Sequence, residues 1–186
     1  MFMLPNTEKD RLMEFPKRKK IRLEHFNYSN GGSYFLTICT KDREKILSHI
    51  EPAEDGEYPY NEDGKYLRVV LTNDGKIAEK YILSGENMGR IRVDEYVIMP
   101  DHIHMVVFVE NDEWEEKNSC EWNERIPGFV SALKRLCHRE MGRTVFQRSY
   151  HDHVIRNHED YEQVIRYIHR NPAKWYFHEH YGKEEQ

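Results

Sequence analysis

The chain is short of cysteine, of long apolar runs and of net positive charge, and each shortage removes a class of explanation. Three cysteines, Cys39, Cys120 and Cys137, are odd in number, and no two stand as C-x-x-C. Neither a disulfide framework nor a thiolate zinc site is indicated. No apolar run approaches the roughly 18 residues that span a bilayer. The N-terminal stretch "MFMLPNTEKDRLMEF" lacks the basic start, apolar middle and small-residue cleavage site of a secretory signal. A cytoplasmic protein with no membrane partner is expected. The formal net charge of −5 argues against a surface that is basic throughout.

What the chain does have is 186 residues, enough for one domain with a real core. Its charges are segregated. "PKRKKIR" (16–22) is strongly basic, and from Arg125 to Lys174 ten Lys and Arg face five Asp and Glu. Acid gathers in "EPAEDGE" (51–57), within a wider acidic stretch 51–63, and in "ENDEWEEKNSCEWNE" (110–124). With those acidic segments solvated, the remaining body presents a basic surface, and the local field outweighs the total.

Residues 1–30 read as irregular, ending at Gly31 and Gly32 before "SYFLTICT" (33–40), a β-branched and aromatic strand. "YLRVVLT" (66–72) is a second strand, and "NDG" opens a helix carrying Ile77, Tyr81 and Ile82 at helical spacing. "RIRVDEYVIMP" (90–100) and "HIHMVVFVE" (102–110) read as strands joined so tightly that they must be antiparallel neighbours. "IPGFVSALKRLCHREMG" places Phe129, Val130, Leu133, Leu136 and Cys137 on one helical stripe between Pro127 and Gly142. "VFQRSYHDHVIR" (145–156) alternates as a further strand. In the last element, "NHEDYEQVIRYIHRNP", Asn157 caps a helix, Glu159 and Asp160 suit its first turn, and Pro172 is expected to stop it. Strands and helices interleaved with short connections favour an α+β architecture of one sheet with helices packed on it.

Two histidines interrupt the most apolar strand. Residues i and i+2 of a strand share a face, so His102 and His104 project together, followed by Val106 and Phe108. Ile103, Met105, Val107 and Val109 fill the other side, which marks a central strand. Neutral imidazoles there are costly unless their nitrogens are satisfied. A divalent cation with a third ligand from elsewhere would satisfy them, and so would ordinary hydrogen bonds in the core. The motif does not name the chemistry, although a barrel amidohydrolase needs a longer chain. A second pair, His151 and His153 in "YHDHVIR", has a more polar setting that suits a solvated strand end or contacts to phosphate.

In the last helix Tyr161, Val164, Ile165 and Ile168 form the apolar stripe, with Tyr161 near its centre. Tyr167 and Asn171 lie on one flank and, four apart, are surface neighbours. A hydroxyl at the margin of the core, beside an amide carbonyl able to serve a metal, fits that placement; so does an amphipathic tyrosine at a helix edge.

Four segments in order carry a resemblance: "FNYSNGGSYFLTICTKDR" (26–43), "VDEYVIMPDHIHMVV" (93–107), "FQRSYHDHVIR" (146–156) and "YIHRNPAKW" (167–175). Together they resemble the REP-associated tyrosine transposases, relatives of the small single-tyrosine insertion-sequence transposases with a His-hydrophobic-His (HUH) motif. The resemblance implies a ferredoxin-like antiparallel sheet with helices packed on one face. It implies a single domain over 26–176, after an irregular segment 1–25 and before a tail 177–186. It makes His102 and His104 the binding pair for Mg²⁺ or Mn²⁺, and Tyr167 the nucleophile. Asn171 stands four residues after the tyrosine, where relatives place a third ligand that is often glutamine.

The implied reaction is nicking and rejoining of single-stranded DNA next to a hairpin, through a phosphotyrosine at the DNA 5′ end. The implied assembly is either a monomer or a homodimer that exchanges the tyrosine helix. Lys134, Arg135, Arg139, Arg143, Arg148 and Arg156, with Lys17, Arg18, Lys19 and Lys20 of the basic tract, are candidates for phosphate contact. Two other readings share these features: a non-catalytic hairpin-DNA binder derived from a transposase, and a metal-dependent nuclease that uses water.

Overall fold

Alternating runs of β-branched and aromatic residues build the sheet that the sequence leads one to expect. In the computed structural model, which describes residues 32–53, 66–85, 91–109 and 125–182, the elements follow in order. They are β1 (Gly32–Cys39), β2 (Ser48–Ala53), β3 (Tyr66–Leu71), α1 (Asn73–Ser84), β4 (Ile91–Ile98), β5 (His102–Val109), α2 (Arg125–Met141), β6 (His151–Ile155) and α3 (His158–His180). The main sheet has the order β4-β5-β1-β6, with antiparallel neighbours throughout. With α1 before β4 and α2 before β6, that is the β-α-β-β-α-β pattern of the ferredoxin-like fold. β2 and β3 form a separate antiparallel hairpin.

β5 is central and buried on both sides, which explains why, His102 and His104 apart, it is apolar throughout. One face, with Ile103, Met105 and Val107, packs on Ala78 and Ile82 of α1 and on Phe129, Val130 and Leu133 of α2. The opposite face, with Phe35 and Val106, packs on Val164 and Ile168 of α3. Helices on one face alone were therefore too few. α1 and α2 share a side, and α3 covers the other, because a strand apolar on both faces needs a partner on each.

Three expectations are corrected in detail. Only residues 151–155 of the 145–156 run form a strand; Phe146 makes an isolated bridge to Thr40. β2, whose "SHIEPA" carries a proline and no clear alternation, gave no strand signal, yet it pairs with β3 from Ser48 opposite Leu71 onward. α3 does not stop at Pro172 but continues to His180, so the expected tail from 177 begins inside a helix. Proline cannot donate to the carbonyl of Ile168, and the half that follows it is held by contacts described below. The segments 1–25 and 110–124, the residues of 51–63 beyond Ala53, and Lys17, Arg18, Lys19 and Lys20 lie outside the described residues. No helix among the described residues is long and apolar enough to cross a membrane.

The segment after β1 is stitched to the β4–β5 turn. Thr40 N donates to the Asp101 carbonyl (2.9 Å) and Leu47 N to the Pro100 carbonyl (3.0 Å). Thr72 caps α1 by accepting from Gly75 N (3.1 Å), and Thr72 N donates to the Leu47 carbonyl. Glycine at 75 is required there, since a Cβ would fall 2.0 Å from the Leu47 carbonyl oxygen. Asp42 and Arg43, at φ 54° and 58°, are consecutive non-glycine residues in the left-handed region. Such residues cost on the order of 1–3 kcal/mol each and cluster at functional sites.

Candidate metal and tyrosine site

The two imidazoles do share one face of β5, 6% and 3% exposed, with ring centroids 4.5 Å apart. Each has one nitrogen fixed. Asp101, the turn residue just before β5, accepts from His102 Nδ1 at 2.5 Å, which leaves Nε2 of that ring as the lone-pair nitrogen. His104 Nδ1 lies 2.9 Å from Thr37 Oγ1, its register partner on β1. His104 Nε2 is buried with no hydrogen-bond partner. Burial, then electrostatic interaction with His102 and Arg43, holds the His104 pKa well below that of an ordinary imidazole, so the ring is neutral. In the tautomer whose Nδ1 donates to the Thr37 hydroxyl, the orphaned Nε2 carries the lone pair.

α3 brings the phenol to this place. Asn157 caps the helix by accepting from Asp160 N (2.9 Å). Val164, Ile168 and Asn171 are its buried residues, at i, i+4 and i+7. The stripe that begins apolar therefore ends in an amide. Tyr167 sits beside it, half-buried, its ring 5.2 Å from His104. Phe35 stacks on His104 at 5.1 Å and meets Tyr167 edge-on at 5.9 Å. Burial pushes the Tyr167 pKa up; a hydrogen bond from the Asn171 side chain and the charge of Arg43 pull it back part of the way. An amide whose N–H donates to the phenol keeps its carbonyl for another partner.

Arg43 joins the parts. Its Nε lies 2.8 Å from the second carboxylate oxygen of Asp101, and its Nη1 donates to Cys39 Sγ at 2.8 Å, while half the side chain stays exposed. The chain Arg43–Asp101–His102 matches the arrangement in which a carboxylate orients a ligating histidine. Among the described residues no group of three His, Cys, Asp or Glu side chains could hold a metal ion.

Comparison with known proteins bears on the fold. No family model matches the chain. A protein of Haemophilus influenzae described only as uncharacterised is 28% identical over 177 residues, spanning 85% of this chain and 89% of its own length. A REP-associated tyrosine transposase of Escherichia coli is 22% identical over 147 residues, 79% of this chain and 70% of that protein. The solved structure of a REP-associated tyrosine transposase bound to a REP hairpin matches with a TM-score of 0.56. It covers 85% of this chain and 74% of its own at 17% identity. The chain shares the fold of that hairpin-bound transposase and is similar in sequence to the Escherichia coli protein.

In this chain the expected phosphate contacts are scattered. Lys134 is not one of them: it is buried, and its ammonium donates to the carbonyls of Gln147 (2.8 Å), Arg148 (3.2 Å) and Ser149 (2.9 Å). Burial lowers its pKa to about 8. Its place on the "IPGFVSALKRL" stripe between Val130 and Cys137 was the overlooked sign. Arg143 pairs with Asp74 and, at 4.0 Å, with Glu44. Arg135 and Arg139 are exposed on α2, with the sheet between them and the imidazoles. Arg148 and Arg156 are exposed at either end of β6. Of the second histidine pair, His153 binds the Asp160 carboxylate at 2.9 Å, which ties β6 to the first turn of α3. Tyr161, expected in the core, is half-buried, and its hydroxyl donates to Asp94 at 2.6 Å.

Reading the sequence missed Asp101, Arg43, Thr37 and Trp175. Trp175 lies 5.8 Å from His102, four residues after Asn171 on the same stripe, and that spacing was the available signal.

Proposed function

We propose that this protein nicks and rejoins single-stranded DNA beside a hairpin, with Tyr167 as nucleophile and His102, His104 and Asn171 as ligands of Mg²⁺ or Mn²⁺. The observation that supports it most is the buried, partnerless Nε2 of His104 with the Tyr167 ring 5.2 Å away. The donor set fits such a cation: two lone-pair nitrogens and an amide oxygen, with open positions for water and phosphate. A bound divalent ion would supply Lewis-acid polarisation of the scissile phosphate. A hairpin substrate is argued from the fold shared with the hairpin-bound transposase.

The chain's own residues do the rest. At neutral pH an ordinary tyrosine is only about 0.1% phenolate, and burial makes Tyr167 less acidic still. The amide of Asn171 and the guanidinium of Arg43 offset that by stabilising negative charge on the phenol oxygen. The phenol oxygen forms a bond to phosphorus, the bond to the 3′ oxygen breaks, the phenol proton leaves to solvent, and the departing oxygen takes a proton up. One phosphodiester replaces another, so the strand can be resealed without a nucleotide cofactor.

A labelled hairpin oligonucleotide with a single-stranded flank, incubated with and without Mn²⁺ and then denatured in SDS, tests this. An adduct that needs Mn²⁺ and disappears in Tyr167→Phe, while that variant still binds the DNA, is the expected result. Cleavage without an adduct would mean a water-using nuclease, binding without cleavage a non-catalytic binder, and an undiminished adduct in Tyr167→Phe a different nucleophile.

A further inference from the structure

We propose that the cleft between β2 and the second half of α3 is a stacking subsite for one unpaired nucleobase, next along the strand from the phosphate at the imidazole pair. This rests on the single-stranded DNA reading above. The cleft is lined by Lys45, Ile50, Pro100, Trp175, Tyr176 and Glu179, among others. Trp175 forms the shared wall, its ring 5.8 Å from His102 and tilted 48° to it. A strand that places a phosphate at the imidazoles has this ring within reach of its next base.

The wall is held ready. The Trp175 indole and the Lys45 ammonium both bind the Glu179 carboxylate. Lys45 also sits over the Trp175 ring, 5.4 Å from its centroid. Tyr176 is stacked on His180 at 4.0 Å, the rings 23° from parallel. A large ring fixed by its own N–H, as Trp175 is by Glu179, loses little entropy when a base stacks on it. The volume, about 170 Å³, falls below the roughly 300–1,000 Å³ of clefts that enclose a drug-sized ligand. It admits one base and not a folded segment.

The polar groups contributed by β2 are already committed. Ser48 Oγ donates to the Ile98 carbonyl at 2.7 Å, and His49 Nε2 pairs with Glu51 at 3.3 Å. The subsite therefore grips a base by its π-face and reads little of its edge. Sequence choice at this position is loose. It also accounts for the continuation of α3 beyond Pro172, because a helix that ended there would carry no Trp175.

The experiment measures binding in EDTA, so that cation loading plays no part. Hairpin oligonucleotides are compared with and without a ten-nucleotide single-stranded flank of mixed sequence, on the wild type, Trp175→Ala and Trp175→Phe. Trp175→Ala should lose about tenfold in affinity for the flanked hairpin and little for the blunt one. Trp175→Phe should keep most of the difference between the two DNAs. In parallel, a flank carrying 5-iododeoxyuridine is photocrosslinked to the Tyr167→Phe protein, and the modified peptide is located by mass spectrometry. Crosslinks on 173–181 support the subsite. Crosslinks confined to other peptides, or a flank preference equal in all three proteins, overturn it while leaving the single-stranded DNA reading intact. A wild type that prefers neither DNA, together with no crosslink from the flank to the Tyr167→Phe protein, overturns both.

Discussion

Asp101→Asn is the sharpest perturbation of the candidate site, because it changes one charge and almost no volume. Asp101 is 4% exposed and its carboxylate makes two contacts, 2.5 Å to His102 Nδ1 and 2.8 Å to Arg43 Nε. As a carboxylate it can only accept, so it fixes the His102 tautomer with Nε2 free. An amide at 101 can present its NH₂ group instead and turn that tautomer over. Loss of a partner of this kind costs about 10–100-fold in metal affinity, or roughly 1.4–2.8 kcal/mol. Arg43 is half exposed and can hydrate when the carboxylate is gone, so the fold should lose only about 1–3 kcal/mol. The assay is titration of Mn²⁺ followed by its free-ion electron paramagnetic resonance signal. It is run on wild type and variant at one pH, with circular dichroism to establish that both are folded. The variant should need 10–100 times more Mn²⁺ for half saturation, and adduct formation should return when the ion is raised to match. A folded Asp101→Asn protein that binds Mn²⁺ as the wild type does would refute the idea that this carboxylate orients a ligand.

The remaining expectations follow from single contacts. Replacing both His102 and His104 by alanine should remove the dependence of cleavage on Mn²⁺, and cleavage with unchanged metal dependence would count against the pair. His104 has a lower proton affinity folded than unfolded, so the unfolded chain takes up its proton first as pH falls through about 6.5. Stability is lost below that pH by up to about 1.4 kcal/mol per unit; denaturant midpoints at pH 7, 6 and 5 should fall less steeply in His104→Leu. Lys134→Ala strands three carbonyls and should cost about 1–3 kcal/mol, seen in the melting temperature, without changing the salt dependence of DNA binding. Pro172→Ala restores a donor for the Ile168 carbonyl and should raise the melting temperature, by an amount bounded by the roughly 3 kcal/mol cost of an interior proline; an unchanged or lower value would show that α3 needs the irregularity.

The parts of the fold that a sequence displays are those where one periodicity dominates. β5 is apolar on both faces, α2 repeats its stripe cleanly, and the turn at "MPDH" admits only a tight hairpin, so each was legible. β2 was not, because its pairing with β3 is decided by a partner distant in sequence rather than by its own alternation. Pro172 misled for a related reason. Local chemistry argues for a helix end, and only the tertiary contacts of Trp175 and Glu179 with the segment after β1 reward a helix that continues.

The site divides along the same line. His102, His104, Tyr167 and Asn171 announce themselves because each breaks an apolar pattern at a spacing that the element's own geometry makes meaningful. Arg43 and Asp101 break no pattern. They stand in a loop and a turn, where charged residues are ordinary, and what sets them apart is a distance between chain segments almost sixty residues apart. The left-handed backbone at Asp42 and Arg43 is the local trace of that constraint, since a strained pair of residues persists only where the surroundings hold it. Thr40 and Leu47, bonded to the carbonyls of Asp101 and Pro100, are what hold it. The strain delivers a guanidinium whose charge reaches both an imidazole and the phenol. If strain and delivery are one device, Arg43→Gly should relieve the first while losing the second. The protein would melt at the same temperature or higher and form less adduct at every Mn²⁺ concentration. A variant that lost stability and activity together would instead make Arg43 a structural strut.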